Sequence, residues 1–332
     1  MRKRLLALGL SLFSCCALGE LLVRLLVAAP MAERLPVLVV RSNPWRGWEM
    51  MPSTPHYTYH HRVRVNALGL RGSEVPERKG DELRLLALGD SLVYGQGVGD
   101  EETLPYYLER ELERRAGGRQ RWRVVNGGHR GYSTNQELGL LRELGPRIRP
   151  DVVVLFWYWN DLSEPRIAGL ARRLGESGPI TFDVNARLEG VTLLKWRAKQ
   201  LARRSALVMY LYDAWRAARA GGIDAGMAER ALGRLDGYLG ELAELARAGG
   251  FRPVLAVVPE SVSIARPHPS EAVARRALEL ARGHGLEPIE LIEPLRALYE
   301  RTGSVPILPF DGHYDPAANR AMAEHVAGIV LR

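Results

Sequence analysis

Ser91 stands in the run Gly89-Asp90-Ser91-Leu92, directly after the apolar stretch Arg84-Leu-Leu-Ala-Leu-Gly89. A serine hydroxyl is a weak nucleophile until a base takes its proton, and that base needs an acceptor to hold its tautomer and stabilise its cation. Near the other end of the chain, Pro309-Phe310-Asp311-Gly312-His313-Tyr314-Asp315-Pro316 puts a carboxylate and an imidazole within one turn. Asp311 and His313 can serve as that pair. Read alone, each group has a plainer use: Ser91 as a helix N-cap, Asp311 or Asp315 as a cap of the helix that follows, His313 as an exposed side chain. No Gly-Lys-Ser/Thr follows the glycines, which disfavours a phosphate-binding loop. Val93 stands where a Gly-x-Ser-x-Gly elbow requires glycine, which disfavours that elbow as well.

Two further stretches carry groups that acyl chemistry needs. Asn126-Gly127-Gly128-His129-Arg130-Gly131-Tyr132 and Trp157-Tyr158-Trp159-Asn160-Asp161 each follow an apolar run. A tetrahedral intermediate requires preorganised donors at its oxyanion, and a glycine N–H with an asparagine amide are suitable. Asp90 reads as a residue that orients its loop, and His129 as a bystander. His56, His60 and His61 have a spacing that metals use, but no carboxylate pattern accompanies them, so they read as surface histidines.

These groups must be brought together by regular elements. Strands are expected at 84–89, 122–126, 151–157, 251–258 and, more weakly, 286–292, with helices at 104–116, 136–144, 270–284 and 317–330 between and after them. Strands separated by helices imply right-handed crossovers and a parallel sheet covered by helices. In such a sheet the loops at the strand C-termini build the site, and all four stretches fall there. Residues 162–222 break the rhythm with arginine-rich helical segments at 167–174 and 194–220. They are expected to be an insertion over the active face, with the aromatics at 196, 210, 212 and 215 in a core. Residues 31–82 read as an irregular stalk or wrapping segment with a strand near 57–65, and 83–332 as the main domain.

The four stretches, in this order, resemble the SGNH (GDSL-type) hydrolase superfamily over roughly 84–330. The resemblance implies a three-layer α/β/α sandwich with a central parallel sheet, of flavodoxin-like type. It also implies Ser91 as nucleophile, with Asp311 and His313 as triad acid and base. Gly131 and Asn160 would join the Ser91 N–H in the oxyanion hole. This chain departs from the family pattern in two places. Asp311-Gly312-His313 replaces the usual Asp-x-x-His, a spacing associated with membrane-anchored envelope members, and it leaves the role of Asp311 less settled than that of His313. Tyr158 and Trp159 replace the glycines before Asn-Asp, which points to an aromatic-walled site.

The chain has 332 residues, 46% hydrophobic and 25% charged, which is ordinary globular usage. Its net charge of +8 comes almost wholly from arginine, scattered among acidic residues as in 108–115. Solvated ion-paired faces account for that pattern, so nucleic acid is not expected as a partner. Cys15 and Cys16 are the only cysteines, so the rest of the chain holds no disulfide or thiolate metal site.

Both cysteines lie in an apolar N-terminal run that follows Met1-Arg2-Lys3-Arg4 and extends to about Ala29, interrupted by Glu20 and Arg24. A basic start before such a run directs export, and about 25 residues span a bilayer. Residues 1–30 therefore read as a single-pass anchor, with the catalytic domain outside the cytoplasm. A signal cleaved near Ala28 with secretion of the remainder, and a buried core helix, are the alternatives. The expectation for the whole is a serine esterase or deacylase, with no cofactor and no metal, acting on O-acyl esters of an envelope carbohydrate or lipid. Two others stand beside it: an O-acyltransferase using the same triad, and a non-catalytic binding protein that keeps the fold.

Overall fold

The structure, a computed structural model, describes residues 2–27, 30–77, 80–158, 180–183, 186–219 and 225–332. Its strands are β1 (Leu38–Asn43), β2 (Gly47–Met50), β3 (His56–Thr58), β4 (His61–Val63), β5 (Leu83–Leu88), β6 (Trp122–Asn126), β7 (Val152–Trp157), β8 (Ile180–Asp183), β9 (Ala186–Arg187), β10 (Arg252–Val257) and β11 (Glu287–Glu290). Its helices are α1 (Arg2–Leu26), α2 (Ser91–Tyr94), α3 (Leu104–Ala116), α4 (Thr134–Ile148), α5 (Gly190–Ala202), α6 (Ala206–Arg219), α7 (Ala225–Gly249), α8 (Ser261–Ala265), α9 (Ser270–Gly283), α10 (Ile292–Thr302) and α11 (Pro316–Val330).

The centre is a five-stranded sheet in the order β11-β10-β7-β5-β6, with every pairing parallel. β7 is apolar throughout, and β5 and β10 nearly so, because both faces of the sheet are covered. Side chains alternate between two cores at the strand period of two. From β5, Leu86 and Leu88 enter one core while Leu85 and Ala87 enter the other; β7 divides likewise, with Val153 and Leu155 against Val154 and Phe156. The first core is closed by α4, α7 and α9 through residues such as Leu141, Leu239 and Leu278. The second is closed by α3, α10 and α11 through Leu108, Leu295 and Met322. The result is the expected three-layer α/β/α sandwich. The chain leaves β5 for β6 on one side and crosses back to β7 on the other, so a crevice opens at the C-terminal end of β5, where ligands bind in open parallel sheets.

Between residues 31 and 82, where little regular structure was expected, β1 and β2 form an antiparallel hairpin extended by β8 and β9. All four residues of β2 are buried, so the alternation that marks a half-exposed strand is missing. The hairpin turn packs on α4: Gln136 Nε2 donates to Arg46 O at 2.7 Å, and a Cβ on Gly139 would lie 2.5 Å from Trp45 O. The Arg46 guanidinium is fully buried between Glu49 at 2.7 Å and Glu143 at 2.8 Å. His56 is buried too, bonded to Thr54 and Met51, and so is not a surface histidine.

Helix α1 is 25 residues long; an 18-residue window within it has mean hydropathy 2.0 and none of that window is buried, which disposes of the core-helix alternative. At about 1.5 Å per residue it is longer than the roughly 30 Å hydrocarbon thickness of a bilayer.

Candidate active site

The turn that carries Ser91 is held by backbone and by close packing. Asp90 caps α2, its Oδ1 accepting from Leu92 N at 2.8 Å, and Gly95 ends the helix in the left-handed region at φ 83°. Two glycines let neighbouring segments reach this turn. A Cβ on Gly89 would meet Val93 Cγ2 at 2.4 Å, and one on Gly128, in the loop after β6, would lie 2.1 Å from Tyr94 N. The His129 N–H donates to Gly89 O at 3.1 Å and joins the two loops.

On the far side of the crevice, the segment before α11 brings up the imidazole. His313 Nε2 lies 2.8 Å from Ser91 Oγ. His313 Nδ1 is hydrogen-bonded to Asp311 Oδ1, and the His313 N–H donates to the same oxygen at 3.2 Å. With Nδ1–H donating to the carboxylate, Nε2 is free to accept the serine proton. Ser91, Asp311 and His313 are thus brought into one hydrogen-bonded chain.

The second oxygen of Asp311 is held by residues far away in sequence. Tyr59 Oη donates to Oδ2, Gln96 Nε2 lies at 3.5 Å, and Arg203 Nη2 at 3.9 Å. Arg203 also donates to Tyr59 Oη at 2.9 Å. Burial alone raises a carboxyl pKa, but the hydrogen bonds from His313 and Tyr59 and the imidazole charge outweigh it, so Asp311 sits well below the usual carboxylate range. Burial, reinforced by the Asp311 charge, pushes the Tyr59 phenol far up, so it stays a donor. Tyr59 and Arg203 were missed by sequence reasoning, and no local pattern marks either.

The crevice is a cleft of about 370 Å³ lined by Ser91, Tyr158, Pro259, Glu260, Asp311 and His313, among others. Tyr158, expected as an aromatic wall, is on that lining. Gly131 lies exposed in the loop after β6, at φ 71°. Asn160 lies outside the described residues, as does the helical segment expected at 167–174. His129 is fully buried and stacked on Tyr132 with ring centroids 4.3 Å apart. Burial, helped by the Arg46 charge, lowers its pKa to about 3, and it takes no part in the chain of bonds from Ser91. Among the described residues no group of three or more His, Cys, Asp and Glu side chains stands close enough to hold a metal.

One more titratable residue escaped sequence reasoning. Glu137, in the first turn of α4, is fully buried, and among the described residues neither carboxyl oxygen has a hydrogen-bond partner. Burial first, and then the charge of Asp90, raise its pKa well above the usual range. An acid in a first helical turn is common and usually solvated, so its position carried no signal.

A serine just after β5 of a three-layer sandwich thus faces an imidazole carried just before the last helix. The chain belongs to the GDSL-like lipase/acylhydrolase family, whose profile matches residues 87–321, and it is a hydrolase acting on ester bonds. Several solved structures are similar to it. One is an acetyl xylan esterase, at 13% identity over 75% of this chain and 100% of its own, with a TM-score of 0.44. A lipase/acylhydrolase from Enterococcus faecalis is 14% identical over 75% of this chain and 95% of its own, with a TM-score of 0.40. A two-domain esterase active on acetylated mannans is 13% identical over 76% of this chain and 49% of its own, with a TM-score of 0.42. No curated protein matches the chain.

Proposed function

We propose that the chain is a membrane-anchored esterase that removes O-acyl groups through an acyl-serine intermediate. Ser91 Oγ gives its proton to His313 Nε2 and attacks the ester carbonyl; the alcohol leaves with that proton, and the acyl group stays on Ser91. Water then gives a proton to Nε2, attacks the acyl carbonyl and releases the acid, and His313 returns the proton to Ser91. Asp311 holds the imidazole tautomer and stabilises the imidazolium. The Ser91 and Gly131 N–H groups and the Asn160 amide serve the oxyanion. The observation that carries this reading is the 2.8 Å contact of Ser91 Oγ with His313 Nε2 in a chain that ends on a charged Asp311.

The anchor is α1, whose basic start holds the N-terminus in the cytoplasm and puts the catalytic domain on the other side. The substrate is then an ester of an envelope carbohydrate or lipid. Acyl transfer to a sugar hydroxyl would use the same intermediate with a different acceptor. Labelling with a fluorophosphonate tests the nucleophile: an adduct on Ser91 is expected, and Ser91→Ala should lose both the adduct and about three orders of magnitude or more in kcat/KM on p-nitrophenyl acetate. Full activity in Ser91→Ala would overturn the mechanism. Hydrolysis without acetyl transfer when glycan is supplied decides between the two fates of the acyl group.

A further inference from the structure

Helices α5 and α6 expose apolar residues where a water-facing helix carries polar ones. On α5 these are Val191, Leu194 and Leu201, and on α6 Val208, Leu211 and Trp215. The spacing within each helix puts them on one face. Leu194 and Leu201 are 68% and 67% exposed, and Leu211 is 57% exposed, so the stripe faces outward. The opposite faces are the ones packed on the protein, through Trp196, Gln200, Ala206 and Met209.

The charges beside this face are mainly cationic, with Glu189 before α5 and Asp213 on α6 the acidic exceptions. From residue 190 to 212 every charged side chain is Lys or Arg, and Lys195, Arg197, Lys199 and Arg204 are exposed. Two of the four lysines in the whole chain are among them. An apolar stripe bordered by cations and carrying a tryptophan matches the surface of an anionic bilayer.

Continuity with α1 chooses the bilayer over other occupants. Glu20 caps the start of α6, accepting from Ser205 Oγ at 2.7 Å, Ala206 N at 3.0 Å and Leu207 N at 2.9 Å. Arg24 bonds Glu20 at 2.7 Å and Arg204 O at 2.6 Å. Gly19 allows close approach, since a Cβ there would meet Leu207 Cδ2 at 3.2 Å. The two charges that interrupt the apolar run of α1 are therefore taken up at the point where α6 begins. The apolar residues from Leu5 to Gly19 lie on one side of that point, and the exposed stripe extends from it.

We infer that α5 and α6 lie in the headgroup region of the bilayer that α1 crosses, with their apolar face toward the acyl chains. The inference rests on the reading of α1 as an anchor. Arg203, at the α5–α6 junction, reaches the Tyr59–Asp311 pair, so the docked helices connect directly to the relay at the active site.

The test uses the full chain with Cys15→Ser and Cys16→Ser, reconstituted in phosphatidylethanolamine–phosphatidylglycerol vesicles. A nitroxide is placed in turn at Leu12→Cys, Leu194→Cys, Leu211→Cys and, as a water-facing reference on α7, Gly237→Cys. Collisions with oxygen, which concentrates in lipid, are compared with collisions with a water-soluble nickel chelate. The oxygen-to-nickel ratio should be several-fold higher at 194 and 211 than at 237, and highest at 12. A high ratio at 12 with ratios at 194 and 211 equal to that at 237 overturns the docking and leaves the anchor standing. Labels at 194 and 211 shielded from both reagents overturn it in favour of a protein partner or a second copy. A water-like ratio at 12 overturns the anchor and the docking together.

Discussion

Ser91 and Asp311 stand at the two ends of one hydrogen-bonded chain, yet they are held by different kinds of structure. Around Ser91 most of the work is done by main chain, through the left-handed Gly95 and the close approach of Gly89 and Gly128, with the Asp90 carboxylate as a side-chain cap. Around Asp311 it is done by side chains, with Tyr59, Gln96 and Arg203 converging on one carboxylate oxygen. A main-chain support tolerates no added volume but does not depend on ionisation. A side-chain support can lose one member and keep its shape, while its electrostatics change at once. The two ends should therefore fail differently.

The largest effect is expected from Asp311→Asn, which keeps the volume but removes the charge and leaves Nδ1 facing an amide able to donate. A fall of roughly 10²–10⁴ in kcat with little change in KM is expected, measured on p-nitrophenyl acetate. A fall of only a few-fold would mean that another group orients His313.

Gly128→Ala attacks the other end. A Cβ 2.1 Å from Tyr94 N meets backbone, so the Ser91 turn itself must shift. Overpacking of this kind costs about 1–3 kcal/mol, and a displacement on the order of 1 Å at the nucleophile costs about 10²-fold in rate. Denaturant unfolding and kcat should fall together. Loss of stability with full activity would show that the turn is not what positions Ser91.

Tyr59→Phe removes one of several supports of Asp311. The expected loss is about three- to tenfold in kcat, corresponding to about 1 kcal/mol for one hydrogen bond. Equality with Asp311→Asn would make Tyr59 as necessary for orienting His313 as the Asp311 charge itself and erase the distinction between the two ends.

The same difference explains what could be read from the sequence. Ser91, Asp311 and His313 were legible because each lies in a short run with a strand or helix boundary beside it. The parallel sheet was legible because strands buried on both faces read as apolar runs. Tyr59 and Arg203 were not, because they meet Asp311 and each other only across separations of 252 and 144 residues. The β1–β2 hairpin escaped because its strands are short and the polar Glu49, between the core residues Trp48 and Met50, is buried as well, paired with Arg46. The aromatics of the helical insertion were expected in a core, but only Trp196 is buried. Tyr210, Tyr212 and Trp215 are about half exposed, since helical spacing alone does not say which face meets the protein.

Glu137 supplies the last and smallest contrast, seen in stability more than in turnover. It lies behind the Ser91 end, next to Asp90, and adds there a buried carboxyl whose pKa is raised. Its folded pKa is raised, whereas in the unfolded chain a glutamate ionises near about 4.3. Below about pH 4.3 both states hold the proton and its contribution is fully present. As pH rises from there toward the folded value, the unfolded chain releases the proton first, so stability falls by up to about 1.4 kcal/mol per pH unit. Glu137→Gln keeps the shape and removes the titration. Its unfolding free energy should be flatter than wild type above about pH 4.3, and higher than wild type at neutral pH. Parallel pH profiles for the two proteins would mean that Glu137 is ionised in the folded state, with a counter-charge outside the Asp90 cap.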